Sequence, residues 1–553
     1  MTVSQCTRLP HPSLQLGQPT PSHSHAITMD IPAQLTTSPS QIDATYDRIQ
    51  ARFASHATLS LDYRLYNLKQ LAYLIQDNEP AIVEAIRQDL GKAPFVAAME
   101  DLFIILNEID LAVRRLSKWM KDEGRWWDAT FAYKSMKPRV TKQPKGVALI
   151  ISPWNYPWQC ALAPLVGAIA AGCPAIIKPS DLAPASSALV AALLPRYLDP
   201  EAYAIVLGGI KESAHLLEKH WGHIMFTGST RVGRIVATAA AKTLTPTTLE
   251  LGGKSPVIVS SCANVKIAAI RMLSMKSPCS GQTCVAPDYI LCARDRVDDL
   301  IREFRSAAST RWPPSPSSQS FLHNHMYGSL RGFPEYERLS SLLAEAENEG
   351  QMVIRGESDP ITKRMGISVV LLPHASKVPR IKVVEEEIFG PIIPIIPVED
   401  VDEAIRYVNS RPKPLALYVC ATKQKVFKKI KEETISGSII LNDFVVHVPS
   451  RSLPFGGVGE SGWGSYHGYD GFRTFTHFKS TLEVPLWMEP IMHTRYPPVT
   501  PFKQRIIRLL FSSGVAFRRP TSVENERFRR RSGRVFRAVI LGAAVLLGVW
   551  YGV

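Results

Sequence analysis

The sequence predicts an α/β protein built on doubly wound parallel sheets, and three observations predict it. From Gly146 onward, short apolar runs alternate with helical stretches, which is the pattern of parallel strands joined by helices. The same texture returns between Thr247 and about Asn442. The chain also has 553 residues, 45% of them apolar and 20% charged, which excludes a wholly disordered or multi-span membrane protein.

The segments before and between these stretches can also be interpreted from their residues. Between Tyr46 and about Lys121, apolar residues recur at helical spacing, as in Leu102, Ile105 and Ile109. Residues 1–41 are rich in Ser, Thr and Pro, so we expect this extension to be disordered. Residues 312–320 (WPPSPSSQS) contain three prolines, which predicts a loop or linker.

The charge of the chain is concentrated at its C-terminal end. Residues 501–553 contain eleven basic and two acidic residues, and so carry nine of the fifteen net positive charges. Basic tails bind phosphate polymers or anionic lipid. Residues 538–553 (AVILGAAVLLGVWYGV) carry no charge and follow an arginine-rich run, which favours a membrane anchor over a nucleic-acid arm. A buried core helix is the alternative for this apolar run.

The length of the apolar segment indicates a short anchor. Residues 535–553 give nineteen positions but include Arg537, whose guanidinium must reach the headgroups. We therefore expect a cytosol-facing tail anchor in a thin membrane of the endoplasmic reticulum, the peroxisome or the mitochondrial outer membrane. Residues 501–534 are expected to form an interfacial helix and a basic collar, although an ordinary docking helix has the same pattern. The eight cysteines form no CxxC pair, as is usual for reduced thiols in the cytosol.

One cysteine is placed for nucleophilic chemistry. Cys284 ends the loop sequence Gly-Gln-Thr-Cys, and Glu250 precedes it by thirty-odd residues in the sequence ELGGKSP. A thiolate that attacks a carbonyl needs a carboxylate that can later activate water. Taken alone, a single cysteine is more often a small buried apolar residue.

Polar side chains follow two predicted strands. Asn155 lies in PWNYP, directly after the run VALIIS, at the strand end where open α/β sheets bind ligands. Its amide can donate to an oxyanion, although it can equally be a turn residue. Lys178 and Asp181 lie in KPSD, at the end of the next predicted strand. The lysine can donate a hydrogen bond to a ribose or phosphate. The same segment can equally cap a helix.

Two further motifs suit a dinucleotide. Gly228, Ser229 and Gly233 lie in FTGSTRVG at a strand-to-helix junction, where backbone amides and the helix dipole favour phosphate. The glycine spacing is not GxGxxG, so the motif alone is a weak fingerprint. Glu387 and Phe389 in EEIFGP pair a carboxylate with an aromatic ring, a pattern that is also found in surface turns.

In this order, these segments resemble the aldehyde dehydrogenase superfamily, and specifically its class 3 branch with membrane-anchored fatty aldehyde dehydrogenases. The resemblance extends from about Tyr46 to Pro498. It is carried by TPTTLELGGKSP, GQTCVAPDYIL, EEIFGPIIPI, KPLALYV and LPFGGVGESGWGSYHG.

The resemblance implies the roles of the site residues. It makes Cys284 the nucleophile, Glu250 the general base, and Asn155 with the Cys284 backbone N–H the oxyanion hole. It implies that NAD is bound by residues of four motifs: Lys178, Asp181, Gly228, Ser229, Gly233, Glu387 and Phe389. Asp181 stands where the family usually has Glu, which keeps NADP as an alternative, and no metal site is expected.

The resemblance also implies a domain division. Residues 42–120 and 146–249 correspond to a Rossmann-like NAD-binding domain and residues 250–443 to an α/β catalytic domain. Residues 121–145 and 444–500 correspond to an oligomerisation or bridging region, which implies a homodimer.

The expected activity is oxidation of long-chain fatty aldehydes to carboxylic acids through a cysteine thiohemiacetal and a thioester. Long-chain aldehydes partition into lipid, with a gain in free energy of about 0.8 kcal/mol per buried methylene. An enzyme anchored to the membrane meets them there. An apocarotenoid aldehyde of the beta-apo-4'-carotenal type is the alternative substrate. A membrane-tethered NAD-binding pseudoenzyme is the alternative function, because Pro278 and Cys279 depart from the family's loop, and Cys279 offers a second thiol for a protective disulfide. No nucleic-acid partner is expected.

Overall fold

The computed structural model describes residues 36–311, 322, 327–511 and 521–526. The predicted linker at 312–320, the first 35 residues of the predicted N-terminal extension and the predicted anchor at 535–553 lie outside these residues. The chain divides into two compact units, residues 1–120 with 143–477, and residues 121–142 with 478–553. The first unit therefore includes residues 444–477, which the sequence assigns to the bridging region.

The helices of the described residues are α1 (Pro39–Ala54), α2 (Leu61–Leu90), α3 (Pro94–Ala97), α4 (Phe103–Trp119), α5 (Phe131–Lys134), α6 (Gln159–Ala171), α7 (Pro184–Tyr197), α8 (Ile210–Leu217), α9 (Thr230–Lys242), α10 (Val265–Lys276), α11 (Val297–Arg311), α12 (Phe333–Glu349), α13 (Lys382–Glu385), α14 (Val401–Asn409), α15 (Gln424–Glu433), α16 (Gly468–Thr474), α17 (Glu489–Met492) and α18 (Pro501–Phe511).

The strands of the described residues are β1 (Glu123–Gly124), β2 (Arg139–Pro144), β3 (Ala148–Ile151), β4 (Ala175–Lys178), β5 (Tyr203–Ile205), β6 (His223–Gly228), β7 (Thr247–Leu251), β8 (Pro256–Val259), β9 (Tyr289–Ala293), β10 (Gln351–Ile354), β11 (Ser358–Asp359), β12 (Arg364–Met365), β13 (Ser368–Leu371), β14 (Ile392–Val398), β15 (Ala416–Cys420), β16 (Ser438–Leu441), β17 (Gly462–Trp463) and β18 (Thr476–Thr481).

The first unit contains a six-stranded sheet in the order β17-β7-β6-β3-β4-β5. Strands β7, β6, β3, β4 and β5 are parallel to one another, and β17 pairs antiparallel with β7 at one edge of the sheet. The chain builds β3, β4 and β5 outward in one direction and then returns to place β6 and β7 on the other side of β3. This reversal creates a switch point between β3 and β6, where ligands bind in open α/β sheets.

A seven-stranded sheet in the same unit has the order β10-β13-β14-β9-β8-β15-β16. Its strands are parallel except for β10, which pairs antiparallel with β13. The two sheets confirm the predicted doubly wound α/β architecture, including the strands predicted from VALIIS, PAIIKPS and HIMFTGS.

Both faces of these strands are buried, which explains why their sequences are apolar without interruption. In β3, Leu149 packs into one apolar cluster with Phe226, while Ile150 packs into another cluster on the opposite face. Successive side chains of a strand point to opposite faces, so a run of apolar residues supplies two cores at once.

The second unit contains a small sheet in the order β1-β2-β18 together with α5, α17 and α18. Met136, Met488 and Met492 form its buried apolar cluster. Helix α18 confirms the helix predicted near residue 501, and it contacts α5. Across the part of the chain that the structure describes, no helix combines the length and the apolar character needed to cross a bilayer.

Candidate active site

A cavity of about 510 Å³ lies in the first unit, and residues from several predicted motifs line it together. They are Asn155, Gly228, Ser229, Glu250, Cys284, Glu387 and Phe389. Asn155 follows β3 and Gly228 ends β6, so the cavity is at the switch point of the first sheet.

Cys284 lies on the loop between α10 and β9. The loop turns through two left-handed residues, Ser280 at φ 49° and Gly281 at φ 71°. A Cβ at Gly281 would overlap the backbone carbonyl of Gly390, so the loop can approach that segment only with glycine at 281. The turn brings Cys284 onto the cavity wall.

The thiol of Cys284 is in a desolvated environment. Burial raises the pKa of this thiol well above its ordinary value, and the neighbouring Glu250 and Cys160 raise it further. Formation of a thiolate there costs free energy, unless a bound ligand stabilises it or the charge on a neighbouring group changes.

Glu250 is the penultimate residue of β7, opposite Thr227 of β6 and Gly462 of β17. The residue is 2% exposed, and its Oε1 has no hydrogen-bond partner among the described residues. Burial raises the pKa of its carboxyl well above the usual value. A buried, unpartnered carboxyl oxygen on a cavity wall is suited to accept a proton from water or substrate.

Asn155 is bonded to the loop that carries Cys284. Its Nδ2 donates a hydrogen bond to the backbone carbonyl of Gln282 over 2.9 Å. The residue is 4% exposed, so its amide is fixed in direction. An amide nitrogen has two N–H groups, and the second is available to an oxygen atom in the cavity.

Glu387 and Phe389 come from the segment between α13 and β14. Burial, followed by the charge of Asp288, raises the pKa of the Glu387 carboxyl to about 8, against the lowering effects of Gly253 N–H, Lys254 and Lys276. Phe389 adopts a left-handed φ of 46° and packs edge-on against Trp154, with ring centroids 5.7 Å apart. The segment thus presents a carboxyl and an aromatic ring to the cavity.

The predicted phosphate-binding residues divide into two groups. Gly228 and Ser229 line the cavity at the N-terminus of α9, where Ser229 accepts a hydrogen bond from Val232 N over 3.4 Å. Gly233 is buried one turn into α9 and packs against Leu251. It does not line the cavity.

Lys178 and Asp181 also lie off the cavity wall. Lys178 ends β4 at the same edge of the sheet, is 5% exposed, and has its Nζ 3.8 Å from a carboxylate oxygen of Asp181. Burial lowers the pKa of this lysine. The side chain of Asp181 is 50% exposed and can move toward a ligand.

These residues fit a nicotinamide dinucleotide. The N-terminus of α9, a helix of 13 residues, offers backbone N–H groups for a diphosphate. Glu387 offers a carboxylate for ribose hydroxyls, and Phe389 offers a ring for an aromatic base. Among the described residues, no group of three or more His, Cys, Asp or Glu side chains is arranged to hold a metal ion.

A buried charged cluster that the sequence does not predict lies beside Cys284. Tyr156 Oη lies 2.7 Å from Thr283 Oγ1, and Lys92 Nζ lies 3.7 Å from the centroid of the Tyr156 ring. Lys92 and Asp101 are fully buried and form an ion pair of 3.0 Å. Glu100, their neighbour, lines the cavity. A lysine and a carboxylate nine residues apart give no signal of this arrangement in the sequence.

The rest of the cavity wall is largely apolar. Its apolar members include Met99, Ile104, Met275, Val445, Val446, Val448, Pro449 and Phe455. Met99 is 46% exposed and Val446 is 48% exposed, so both the interior and the rim of the cavity offer apolar surface. Such a wall suits the hydrocarbon part of a ligand.

Of the two loop residues singled out in the sequence, Pro278 is partly exposed and Cys279 is accommodated in the core. Cys279 is 2% exposed, and its Sγ lies 3.8 Å from the backbone carbonyl of Asn155. Cys279 and Cys284 are both free thiols in this structure. A disulfide between them stays a prediction.

Comparison with known proteins agrees with this geometry. Residues 21–481 match the family model described as "Aldehyde dehydrogenase family". The chain is 40% identical over 463 residues to "Aldehyde dehydrogenase family 3 member B1" of Bos taurus, covering 84% of this chain and 96% of that protein. It is 38% identical to "Aldehyde dehydrogenase, dimeric NADP-preferring" of Canis lupus familiaris, covering 83% and 98%.

Solved structures show the same likeness. The substrate-bound state of Staphylococcus aureus AldH superimposes with a TM-score of 0.79 at 36% identity, covering 85% of this chain and 99% of that one. A Mycobacterium tuberculosis aldehyde dehydrogenase complexed with NAD+ superimposes with a TM-score of 0.72 at 24% identity, covering 82% and 92%. The second likeness concerns the fold alone.

Proposed function

Because the chain belongs to the aldehyde dehydrogenase family, and so oxidises aldehydes with NAD or NADP, we propose that its substrates are long-chain lipophilic aldehydes. The observation that carries the proposal is that Cys284, Glu250 and Asn155 share one cavity with a largely apolar wall. Each methylene that leaves water for such a wall contributes about 0.8 kcal/mol to binding.

In the proposed reaction, the sulfur of Cys284 attacks the aldehyde carbon and forms a tetrahedral thiohemiacetal. The amide of Asn155 and the backbone N–H of Cys284 stabilise its negative oxygen. When bound, NAD or NADP supplies the acceptor for the hydride that leaves this carbon. What remains on Cys284 is a thioester.

Glu250 then takes a proton from a water molecule, whose oxygen attacks the thioester carbon. The carbon–sulfur bond breaks, Glu250 returns the proton to the leaving sulfur, and the products are the carboxylic acid and the free thiol. Since the charge of Glu250 raises the pKa of Cys284, the site favours one negative charge at a time. We propose that the charge is on sulfur during attack, when Glu250 holds the proton of the thiol. Once the sulfur is acylated, this proton passes to solvent, and the charge is on Glu250 during hydrolysis.

For cofactor binding, we propose that Gly228, Ser229 and Gly233 shape the diphosphate site and that Lys178, Asp181, Glu387 and Phe389 contact the nucleosides. The proposed cofactor is NAD, with NADP as the alternative. The partly exposed Asp181 would decide between them, because a carboxylate accepts ribose hydroxyls and repels a ribose phosphate.

We further propose that the enzyme is a homodimer anchored to a membrane with its body in the cytosol. The apolar sequence at 538–553 after an arginine-rich run supports the anchor. The name of the canine relative describes that protein as dimeric. The proposed membranes are the endoplasmic reticulum, the peroxisome and the mitochondrial outer membrane. Deletion of residues 538–553 should release the protein from membranes.

An apocarotenoid aldehyde stays the alternative substrate, without an observation that favours it over a fatty aldehyde. A panel of saturated, branched and polyene aldehydes, each followed through NADH or NADPH absorbance, separates the two. The proposal expects the highest kcat/KM for saturated long chains. A preference for short or polar aldehydes would contradict it. The pseudoenzyme alternative is set aside, because the family assignment makes the chain an enzyme.

A further inference from the structure

The motif LPFGGVGESGWGSYHG at residues 453–468 contributes a tyrosine to the cavity that the proposed reaction does not use. Tyr466 lines the same cavity as Cys284 and Glu250, and it is buried. Burial raises the pKa of its hydroxyl well above the usual value, and the neighbouring Cys160, Glu250 and Cys284 raise it further. The hydroxyl therefore stays protonated, and it is a hydrogen-bond donor close to both the nucleophile and the base.

The segment that carries Tyr466 is joined directly to the strand of Glu250. Gly462 of β17, four residues before Tyr466, is the register partner of Glu250 in β7. Tyr466 also exchanges two backbone hydrogen bonds of 2.9 Å with Phe455, another residue of the cavity wall. The rings of these two residues pack edge-on, with centroids 5.8 Å apart. These contacts fix the direction in which Tyr466 enters the cavity.

A buried glutamate holds the same segment from the side of α4. Oε1 of Glu108 lies 2.9 Å from Nδ1 of His467, and its Oε2 accepts a hydrogen bond from the N–H of Gly468 over 2.6 Å. The ring of His467 stacks on the ring of Tyr466, with centroids 4.3 Å apart. His467 has a φ of 81°, which a residue other than glycine keeps only where its surroundings enforce it. Glu108 therefore acts on Tyr466 through His467.

The base lacks a donor in the step in which it must be charged. In the proposed reaction, Asn155 and the backbone N–H of Cys284 stabilise the negative oxygen that forms during attack. Hydrolysis requires a charged Glu250, yet burial opposes this charge, and its Oε1 has no hydrogen-bond partner among the described residues. A donor beside a buried carboxylate favours the charged form.

We propose that the hydroxyl of Tyr466 donates a hydrogen bond to charged Glu250, directly or through the attacking water, during hydrolysis of the thioester. Glu108 and His467 are positioning residues that hold Tyr466 for this bond. The inference rests on the proposed thioester reaction and leaves its proton transfers unchanged. Glu250 takes the proton of the water, and Tyr466 keeps its own.

Y466F tests the proposal, because it removes the hydroxyl and keeps the ring. Rapid mixing with hexadecanal and NAD, followed through NADH absorbance, separates formation of the thioester from its hydrolysis. We expect the first turnover of Y466F to keep the wild-type rate. Its kcat should fall by about tenfold to a hundredfold, the equivalent of one hydrogen bond to a charged group, so that NADH appears in a burst.

The matched control is Y203F, which should behave like wild type in both phases. Tyr203 is a buried tyrosine of β5, and it does not line the cavity. Its hydroxyl has no hydrogen-bond partner among the described residues. The control therefore removes a buried phenol hydroxyl from the same unit without touching the site.

The pH profile of kcat gives a readout that a loss of packing would not move. Without the donor, the charged form of Glu250 is less stable, so the pKa of the base rises. We expect the increase of kcat with pH to move to higher pH in Y466F by about one to two units, which corresponds to a tenfold to hundredfold effect. Other titratable groups surround the pair and are the same in both proteins: Cys160 of α6, Cys284, Glu108 of α4, Glu387, His447 and His467.

The positioning role of Glu108 is tested in combination with Y466F. E108A alone should slow hydrolysis as Y466F does. In the Y466F background it should have little further effect, because both changes remove the same hydrogen bond. Losses that multiply in the double variant would show that Glu108 acts independently of Tyr466.

The opposite results in Y466F would overturn the inference. An unchanged kcat and pH profile would make Tyr466 a wall residue only, and equal slowing of the first turnover and of kcat would assign its effect to attack or to folding. E250Q separates this inference from the proposed reaction. A thioester that accumulates in E250Q but not in Y466F contradicts the role of Tyr466 alone, whereas its absence from both contradicts the proposed reaction as well.

Discussion

Asn155 donates a hydrogen bond from Nδ2 to the backbone carbonyl of Gln282, two residues before Cys284, over 2.9 Å. The bond joins the end of β3 in the first sheet to the loop of the proposed nucleophile. The amide is therefore fixed relative to the sulfur before substrate binds. A fixed donor stabilises a developing oxyanion without the cost of reorientation.

Replacing Asn155 tests this relationship. We expect N155A to lower kcat by about a hundredfold to a thousandfold, the usual effect of removing one oxyanion donor. The control is Y156F, which removes the neighbouring hydrogen bond to Thr283 but keeps the amide. We expect Y156F to lower kcat by no more than about tenfold, the equivalent of one ordinary hydrogen bond. Steady-state kinetics that show equal losses would assign the effect of N155A to loop disorder.

The pKa of Glu387 predicts a pH dependence of stability in the absence of cofactor. Its carboxyl has a pKa of about 8 in the folded state, against 4.5 for an unperturbed group. Between these values the folded state binds a proton that the unfolded state has lost, so this group makes stability fall as pH rises. The slope from one group is at most about 1.4 kcal/mol per pH unit.

We expect E387Q to lose this contribution, so that it gains stability relative to wild type as pH rises from about 4.5 toward 8. Urea unfolding across this pH range measures the difference. The matched control is E386Q, which changes the exposed neighbouring carboxylate. Parallel pH profiles of wild type and E387Q would contradict the raised pKa.

The Lys92–Asp101 pair predicts a large effect of a single substitution on stability. Both side chains are fully buried, with Nζ and Oδ2 3.0 Å apart. K92M leaves Asp101 buried without its cation, which typically costs about 3–5 kcal/mol. We expect K92M/D101N to recover much of that loss, because the uncompensated charge is removed. Urea unfolding of the three proteins measures the cost, and equal stability of K92M and wild type would show that the pair is not structurally important.

The apolar rim of the cavity predicts selectivity for long chains. Val446 is 48% exposed and lines the cavity, so V446D places a charge where a hydrocarbon chain would lie. We expect kcat/KM for hexadecanal to fall strongly and that for propanal to change little. The matched control is I361D, at an 88% exposed position of the first unit outside the cavity. Equal effects on both aldehydes would show that the chain binds elsewhere.

Much of this architecture could be predicted because its determinants are local. The uninterrupted apolar run around Leu149 and Ile150 indicates a strand buried on both faces. The ends of β3 and β6 then identify the edge where Asn155 and Gly228 meet. The contact of Lys92 with Tyr156 was not predictable, because it depends on how distant segments pack. The burial of Cys279 likewise depends on the path of the loop.

The central claim is that the sulfur of Cys284 is acylated during turnover. The most direct measurement is mass spectrometry of the peptide that contains Cys284, after E250Q is incubated with hexadecanal and NAD. Without the proposed base, hydrolysis is slow, so we expect a hexadecanoyl thioester on Cys284 together with a burst of NADH, and neither in C284S. An unmodified Cys284 despite NADH production, or C284S that turns over like wild type, would contradict the account.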